Sequence, residues 1–432
     1  MALTAAEQYL LELMNRARLD PAAEAVRMGI DLNAGLAAGT ISTLAKQVLA
    51  PNALLEAAAT EHSLWMIQTD IFSHTGANNS QPDQRATAAG YVWSRIGENI
   101  AFVGSTGAVS LEGSIDTLNT NLFLSASHRV NVLADGFREI GLGAEVGVFT
   151  QTGVNFNVAM LTQDFGTSGT AHFLTGVAYS DTDRDRFYSM GEGTAGVMFR
   201  GLGQVASSAA AGGYGLALAA DVATAVTGNI GSRAFSLTVD MSPGNVKLDI
   251  VGGTTFYTSG SVILGTGIKK VVLLGVGDLN ATGNNAINKM TGNAGNNLMY
   301  GGAKGDVLTG NGGADLLRGG LGNDKVLGGI GADQLSGNQG NDTLTGGSAA
   351  DVFIFAKAGG SDLITDFSLA EGDVLRLDHN LWAGQNLNAA AVVANFATIS
   401  PGEVLFDFGN GQSLHLTGIA DMVGFSNQIG IF

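Results

Sequence analysis

The hydrophobic pattern of this chain passes through three regimes. Near the N-terminus, Tyr9, Leu10, Leu13, Met14 and Ala17 recur at helical spacing behind Thr4-Ala-Ala-Glu7, which has the form of a capping box. Asp20-Pro21 reads as a helix cap followed by proline at the first helical position. A further helix is predicted from about Asn52, with Leu55, Ala58, Ala59, His62, Trp65 and Met66 on one face. Later stretches such as VNFNVAMLTQDFG are rich in β-branched and aromatic residues and read as strands. Residues 1–166 thus form one mixed helix-and-sheet domain. From 167 to 240 the helical period is gone. Short strands between Gly and Asp turns, as in LTGVAYSDTDRDRFYSMGEG and AGGYGLALAA, predict a small β-sandwich.

The third regime has a period of nine. With the frame set at glycine, units begin at Gly283, Gly292, Gly301, Gly310, Gly319, Gly328, Gly337 and Gly346. Their sixth place is Asn288, Asn297, Asp306, Asp315, Asp324, Asp333, Asp342 and Asp351, and their eighth is always apolar. This is the G-G-x-G-x-D-x-U-x pattern of a calcium-binding parallel β-roll. Glycine supplies turns with positive φ and lets backbone carbonyls approach an ion, while aspartate supplies the hard oxygen that Ca²⁺ prefers. The apolar residue points inward from a short strand and stacks on its copies.

Two units make one coil, so Asp306, Asp324 and Asp342 are expected along one edge and Asp315, Asp333 and Asp351 along the other. Ions between neighbouring turns give on the order of four full sites. Asn288 and Asn297 carry no charge and are expected to hold their turns by hydrogen bonds. Lys304 and Ala349 stand where the pattern has its fourth-place glycine, which weakens the first and last sites. A flexible Gly/Asn linker has no reason to keep one apolar residue in phase through eight units. The roll is expected over 241–355 and a β-rich cap over 356–432.

Composition narrows the partners. The chain has 432 residues with 45% hydrophobic, 14% charged and 64 glycines, and 38 acidic against 21 basic residues give a net charge of -17. Such a field repels nucleic acid and anionic membranes and attracts cations. Cysteine is absent, so disulfides, thiolate metal sites and cysteine nucleophiles are excluded. MALTAAEQYLLELMNRAR has no basic stretch ahead of an apolar run, so no cleaved signal peptide is expected, and no apolar run predicts a membrane span. These totals alone read as a soluble cytosolic chain.

A second acidic loop, Asp181-Thr-Asp183-Arg-Asp185 with Glu192 at the twelfth position, has the ligand spacing of a calcium loop. Arg186 occupies the sixth position, where an EF-hand needs glycine, and no flanking helices are predicted. The surrounding VAYSDTDRDRFYSMGEGTAGVMF…AGGYGLAL resembles the opening of Cna-B or carboxypeptidase-regulatory-like β-sandwiches, in which DxDxD loops are common. Calcium is expected at Asp181, Asp183, Asp185 and Glu192, and the alternative is a solvated polar turn.

Two wider resemblances set the expected location and chemistry. The nonapeptides followed by SAADVFIFAKAGGSDLITDFSLAEGDVLRLDH resemble the end of RTX proteins. Membership implies export through a type I secretion apparatus without a cleaved leader, with the signal in the last several dozen residues. That places the expected protein outside the cell.

LMNRARLDP, HSLWMIQTDIFSHTG, IGENIA and LFLSASHRVNVLADGFREIGLG resemble the bacterial branch of the CAP superfamily (cysteine-rich secretory, antigen-5 and pathogenesis-related proteins). The likeness covers about residues 5–166. It implies an α-β-α sandwich with a cleft formed by His74, Glu98 and His128, open to Zn²⁺ or another divalent ion. A second family glutamate has no clear counterpart; Glu112 is the nearest upstream acid. His62 lies on an apolar helix face and reads as a core histidine. Neither G-x-S-x-G nor H-E-x-x-H occurs. The expected function is a secreted calcium-binding protein whose head binds an unidentified extracellular ligand. The alternative is a metal-dependent hydrolase using His74, Glu98 and His128; a cell-associated adhesin is a weaker third reading.

Overall fold

Thr4 starts the first helix as expected: its hydroxyl accepts from the Glu7 N–H at 3.2 Å, and the Glu7 carboxylate accepts from the Thr4 N–H at 2.9 Å. The structure is a computed structural model and describes residues 2–220, 222–382, 385–419 and 424–432. Helix α1 (Ala5–Leu19) buries Leu10, Leu13, Met14 and Ala17. Asp20 caps α2 (Pro21–Arg27), and Asn52 caps α3 (Ala53–Thr69). Strands β1 (Ala50–Pro51), β2 (Arg95–Ser105), β3 (Glu139–Gln151) and β4 (Val154–Thr167) form one sheet in the order β1-β3-β4-β2.

Alternation along β4 buries both faces of this sheet. Ala159 and Leu161 join Leu10 of α1 and Leu118 of α5 (Ile115–Leu124) in one core, while Val158 and Met160 join Met66 of α3 and Ile100 in another. Helices therefore cover both sides, giving the α-β-α sandwich. Helix α3 lies against β3 because Gly141 and Gly143 have no side chains. A Cβ there would come within 2.0 Å of the Leu55 carbonyl carbon and 2.3 Å of that of Ala59. This close approach fixes where α3 presents His62.

The sandwich strand His172–Tyr179 pairs antiparallel with Gly213–Leu218 and parallel with Val246–Val251, and Met198–Gly201 pairs with Gln204–Ser207 and Ala223–Ile230. Val246–Val251 belongs with these strands rather than with the roll, to which residues from 241 onward were assigned above. Head and sandwich strands share one compact unit, residues 1–234 and 240–253. Inside it Lys247 is buried between Glu12 of α1, at 2.6 Å, and Asp249.

The second unit, residues 235–239 and 254–432, contains the roll. One sheet stacks Leu298–Ala303, Leu316–Leu321, Gln334–Gln339 and Val352–Phe355 in parallel, the other Val307–Gly312, Lys325–Ile330 and Thr343–Ser348. Register advances by eighteen residues per coil, so Met290, Leu308, Val326 and Leu344 form one inward column and Met299, Leu317, Leu335 and Phe353 the other. All eight are at most 1% exposed. Ser361–Ile364 and Val374–Leu377 extend the two sheets, and the hairpin of Gly402–Gly409 with Gln412–Ile419 continues one of them toward the end. The C-terminal region to which an export signal was assigned includes residues 420–423, which lie outside the described residues.

Candidate functional sites

Strand alternation decides which way the IGENIA block points. Glu98 faces the α3 side, directly across the ladder from Asp164 of β4. Asn99 faces the other way, donating to the His128 carbonyl at 3.2 Å and to Gln163 at 3.1 Å. Asn131 of α6 (Ala126–Val132) donates to the Glu98 carbonyl and to Asn99. Buried Arg129 ties α6 to the Leu32 and Phe123 carbonyls, which holds His128 in place.

Glu98 is the centre of the head's polar cleft. His74 Nδ1 lies 2.7 Å from its Oε1, and Arg85 of α4 (Pro82–Ala88) pairs with its Oε2. Arg85 also donates to the His74 and Ser80 carbonyls, both at 3.0 Å. His62 stacks on Trp65, contacts the Ser73 carbonyl at 3.0 Å through Nε2, and lies 3.9 Å from Glu98 Oε2. It is buried as expected, yet it also borders the cleft. Burial pushes its pKa down, with partial relief from Glu98. Burial and nearby His74 lower His128. Asp164 is driven well above the usual carboxylate range by burial and by Glu98.

In the roll, each repeat aspartate places one oxygen on the backbone N–H of the residue eighteen earlier. Asp306 Oδ1 accepts from Asn288, Asp324 from Asp306 and Asp342 from Asp324; Asp315, Asp333 and Asp351 do the same for Asn297, Asp315 and Asp333 on the opposite edge. The second oxygen, Oδ2, of all six is buried without a partner. Asn288 and Asn297 differ. Their side-chain oxygens accept from Asn284 and Asn293, and their amides donate to Ile268 and Leu279 carbonyls.

Residues 11–159 match the family model of the cysteine-rich secretory protein family, CAP. Residues 291–326 and 327–356 match that of the RTX calcium-binding nonapeptide repeat. The chain carries a CAP domain and an RTX array. Among solved structures it is similar to an extracellular SCP-domain protein of Bacillus anthracis, at 23% identity over 28% of this chain and 35% of that one, with a TM-score of 0.21. It is also similar to an outer surface protein of Borrelia burgdorferi (18% identity, 29% of this chain, 80% of that one, TM-score 0.22). A third is an extracellular lipase of Serratia marcescens (14% identity, 38% of this chain, 40% of that one, TM-score 0.19). The chain spans about a third of the length of the first of these. No curated protein matches it.

The RTX turns fit a hard cation, because the six partnerless Oδ2 atoms are carboxylate oxygens lying on two edges as the repeat requires. Two further aspartates extend the ladders: Asp362 Oδ1 accepts from Asp342 and Asp373 Oδ1 from Asp351. The nonapeptide frame missed them because two- and four-residue insertions stretch the spacing to twenty and twenty-two. Gly360-Ser-Asp362-Leu and Gly372-Asp373-Val-Leu keep the local pattern and were the available signal.

The CAP cleft does not fit a divalent ion as arranged. Both Glu98 oxygens are engaged, one by a guanidinium, and His74, Glu98 and His128 do not bring three ligand atoms together. Among the described residues only Asp181, Asp183 and Asp185 do so, within 4.8 Å of one another. Arg184 and Arg186 curl that loop with φ of 67° and 66°, so Arg186 takes the left-handed conformation for which an EF-hand uses glycine. Glu192 does not join the three. Its oxygens accept from the Thr182 N–H and hydroxyl, both at 2.6 Å, and from the Ser189 N–H. Burial acts to raise its pKa, but these hydrogen bonds outweigh it and lower the value. It folds the loop.

The RTX aspartates also define a pH dependence. Burial pushes Asp306, Asp333 and Asp342 up to about 6 and Asp324 and Asp351 up to about 7. These values exceed the roughly 3.9 of an unfolded chain, so the calcium-free folded roll binds protons more tightly than the unfolded one. Its stability is fullest below pH ~4 and is lost as pH rises through 6 to 7. In metal-depleted buffer the roll's Tm is expected to be higher at pH 5 than at pH 8; the reverse order would contradict this linkage.

Proposed function

We propose that this is a secreted calcium-binding protein, exported through a type I secretion apparatus, whose CAP head offers the cleft around Glu98 to an extracellular ligand. The supporting observation is where unpaired buried polar atoms collect. Among the described residues they are His62 Nδ1, Arg85 Nε, His128 Nδ1, both Asp164 oxygens, the six RTX Oδ2 atoms and the Tyr188 hydroxyl. Buried donors and acceptors are normally satisfied, so such concentrations mark places where something else completes them. In the head that is a ligand's polar groups. Phe72, 42% exposed and edge-on to Phe102 at 5.0 Å, adds an apolar flank, so the ligand has both kinds of surface.

In the roll the completing group is Ca²⁺, with Asp306, Asp315, Asp324, Asp333, Asp342 and Asp351 as its carboxylates; Asp181, Asp183 and Asp185 offer a further site in the sandwich. Export follows from the same chemistry. Where calcium is scarce the aspartates favour the unfolded chain, which is the state a secretion channel carries, and abundant calcium outside favours folding. The test is release into the medium from a bacterium bearing a type I apparatus. Release is expected to stop when residues 356–432 are deleted, and continued release after that deletion overturns the export reading.

The metal-dependent hydrolase reading is weakened by Arg85, whose charge already occupies Glu98. The intact chain is expected to hold less than stoichiometric Zn²⁺ by elemental analysis. Stoichiometric zinc that disappears, with a hydrolytic activity, in His128→Ala would reinstate the enzyme.

A further inference from the structure

Five of the chain's eight lysines, Lys269, Lys270, Lys289, Lys304 and Lys325, fall within 57 residues of the roll unit. The coil register aligns three of them. Lys270 pairs laterally with Lys289, Lys289 with Val307, and Val307 with Lys325. At the coil where Val307 interrupts the column, Lys304 stands three residues earlier in the turn leading into the same strand. Three of four successive coils therefore supply a strand cation on one face, and Lys304 adds a cation in the turn at the edge of the fourth. The residues next to them, Val271, Met290, Leu308 and Val326, are at most 1% exposed and point inward, which turns Lys270, Lys289 and Lys325 outward, where all three are exposed. Among the described residues none of the five ammonium groups has an ion-pair or hydrogen-bond partner.

Beside the lysine column runs a second outward column, Val272, Thr291, Thr309, Leu327 and Thr345, again in strict lateral register. Neither column contains an acidic residue, although the chain as a whole carries a net charge of -17. Strands repeat at about 4.8 Å, which is close to the length of one extended sugar residue.

We infer that this face of the roll binds a linear polyuronate, an acidic polysaccharide whose carboxylates meet the lysine rail while its hydroxyls meet the threonine rail. The chemistry separates this partner from a nucleic acid. A duplex carries one charge per roughly 1.7 Å of its axis, far denser than the lysine rail, and single strands need aromatic platforms for their bases. Among the described residues of the two columns the only aromatic is Tyr257, the lateral partner of Val272, and one ring does not make a platform for successive bases. A duplex, with two strands of phosphate, also meets more repulsion from the acidic chain than a polymer with one carboxylate per sugar. Calcium acts here only by holding the coils in register.

The test is calorimetric titration of the calcium-loaded full chain with a defined oligogalacturonate, too short to gel. Binding is expected, weakening with added salt as screening grows. The triple variant K270Q/K289Q/K325Q is expected to bind at least tenfold more weakly, with unchanged circular dichroism. The matching K270R/K289R/K325R variant and K357Q, outside the column, should bind within twofold of the parent. Retained affinity in the glutamine variant overturns the inference, since capture would then run through bound calcium. Equal or tighter binding of a single-stranded oligonucleotide, or of neutral dextran, also overturns it.

Discussion

Chelating calcium from the full chain at pH 7.5 will abolish most of the roll's strand signal in circular dichroism, and restoring millimolar calcium will return it. The expectation follows from how thin the roll's interior is. Each nine-residue unit contributes a single inward side chain, such as Leu308, Leu317 or Val326, and the rest of the unit is turn and outward-facing strand. Against that small apolar core stand six aspartates, each with one buried oxygen lacking a partner. A buried carboxylate without compensation costs several kcal/mol. Calcium bound only to the folded coils reverses the balance, adding about 4 kcal/mol per site when its concentration exceeds Kd a thousandfold. The CAP head has its own cores around Leu10 and Met66 and should keep its signal. Strand content that survives chelation unchanged would remove the premise that ions shape the roll.

What the sequence disclosed follows from the range over which each feature acts. The roll was legible because its period is local: glycine, aspartate and one apolar residue recur within nine positions, and register then follows from stacking. The same frame failed at Asp362 and Asp373, where insertions in the connecting loops break the count while the strands still pair. In the head, Thr4, Asp20 and Asn52 were readable as caps because capping is a contact over two or three residues. Asp164 and Arg85 were not readable as partners of Glu98. One meets it across an antiparallel ladder, 66 residues away, and the other through a short helix whose placement depends on the sheet edge. Glu192 shows the converse: its spacing matched a ligand position, but the hydroxyl and N–H of Thr182 claimed it first.

Arg85→Ala should be the most damaging single change in the head. Among the described residues its guanidinium is the one cation in hydrogen-bonding contact with Glu98 apart from any proton on the imidazoles, and the two side chains are only 10% and 2% exposed. Removing it leaves a buried carboxylate facing Asp164, and losing one partner of a buried pair costs roughly 3–5 kcal/mol. The head's unfolding can be followed by the fluorescence of Trp65 and Trp93 in urea, with Trp382 replaced by phenylalanine to silence the tail. Adding Glu98→Gln to Arg85→Ala should recover a substantial part of the loss, because the stranded charge is gone. Asp164→Asn alone should change stability little, since burial and Glu98 both push that carboxyl toward its neutral form. A large gain from Asp164→Asn would mean two ionised carboxylates face each other there. A loss under about 1 kcal/mol in Arg85→Ala would mean that Glu98 is held by something other than this ion pair.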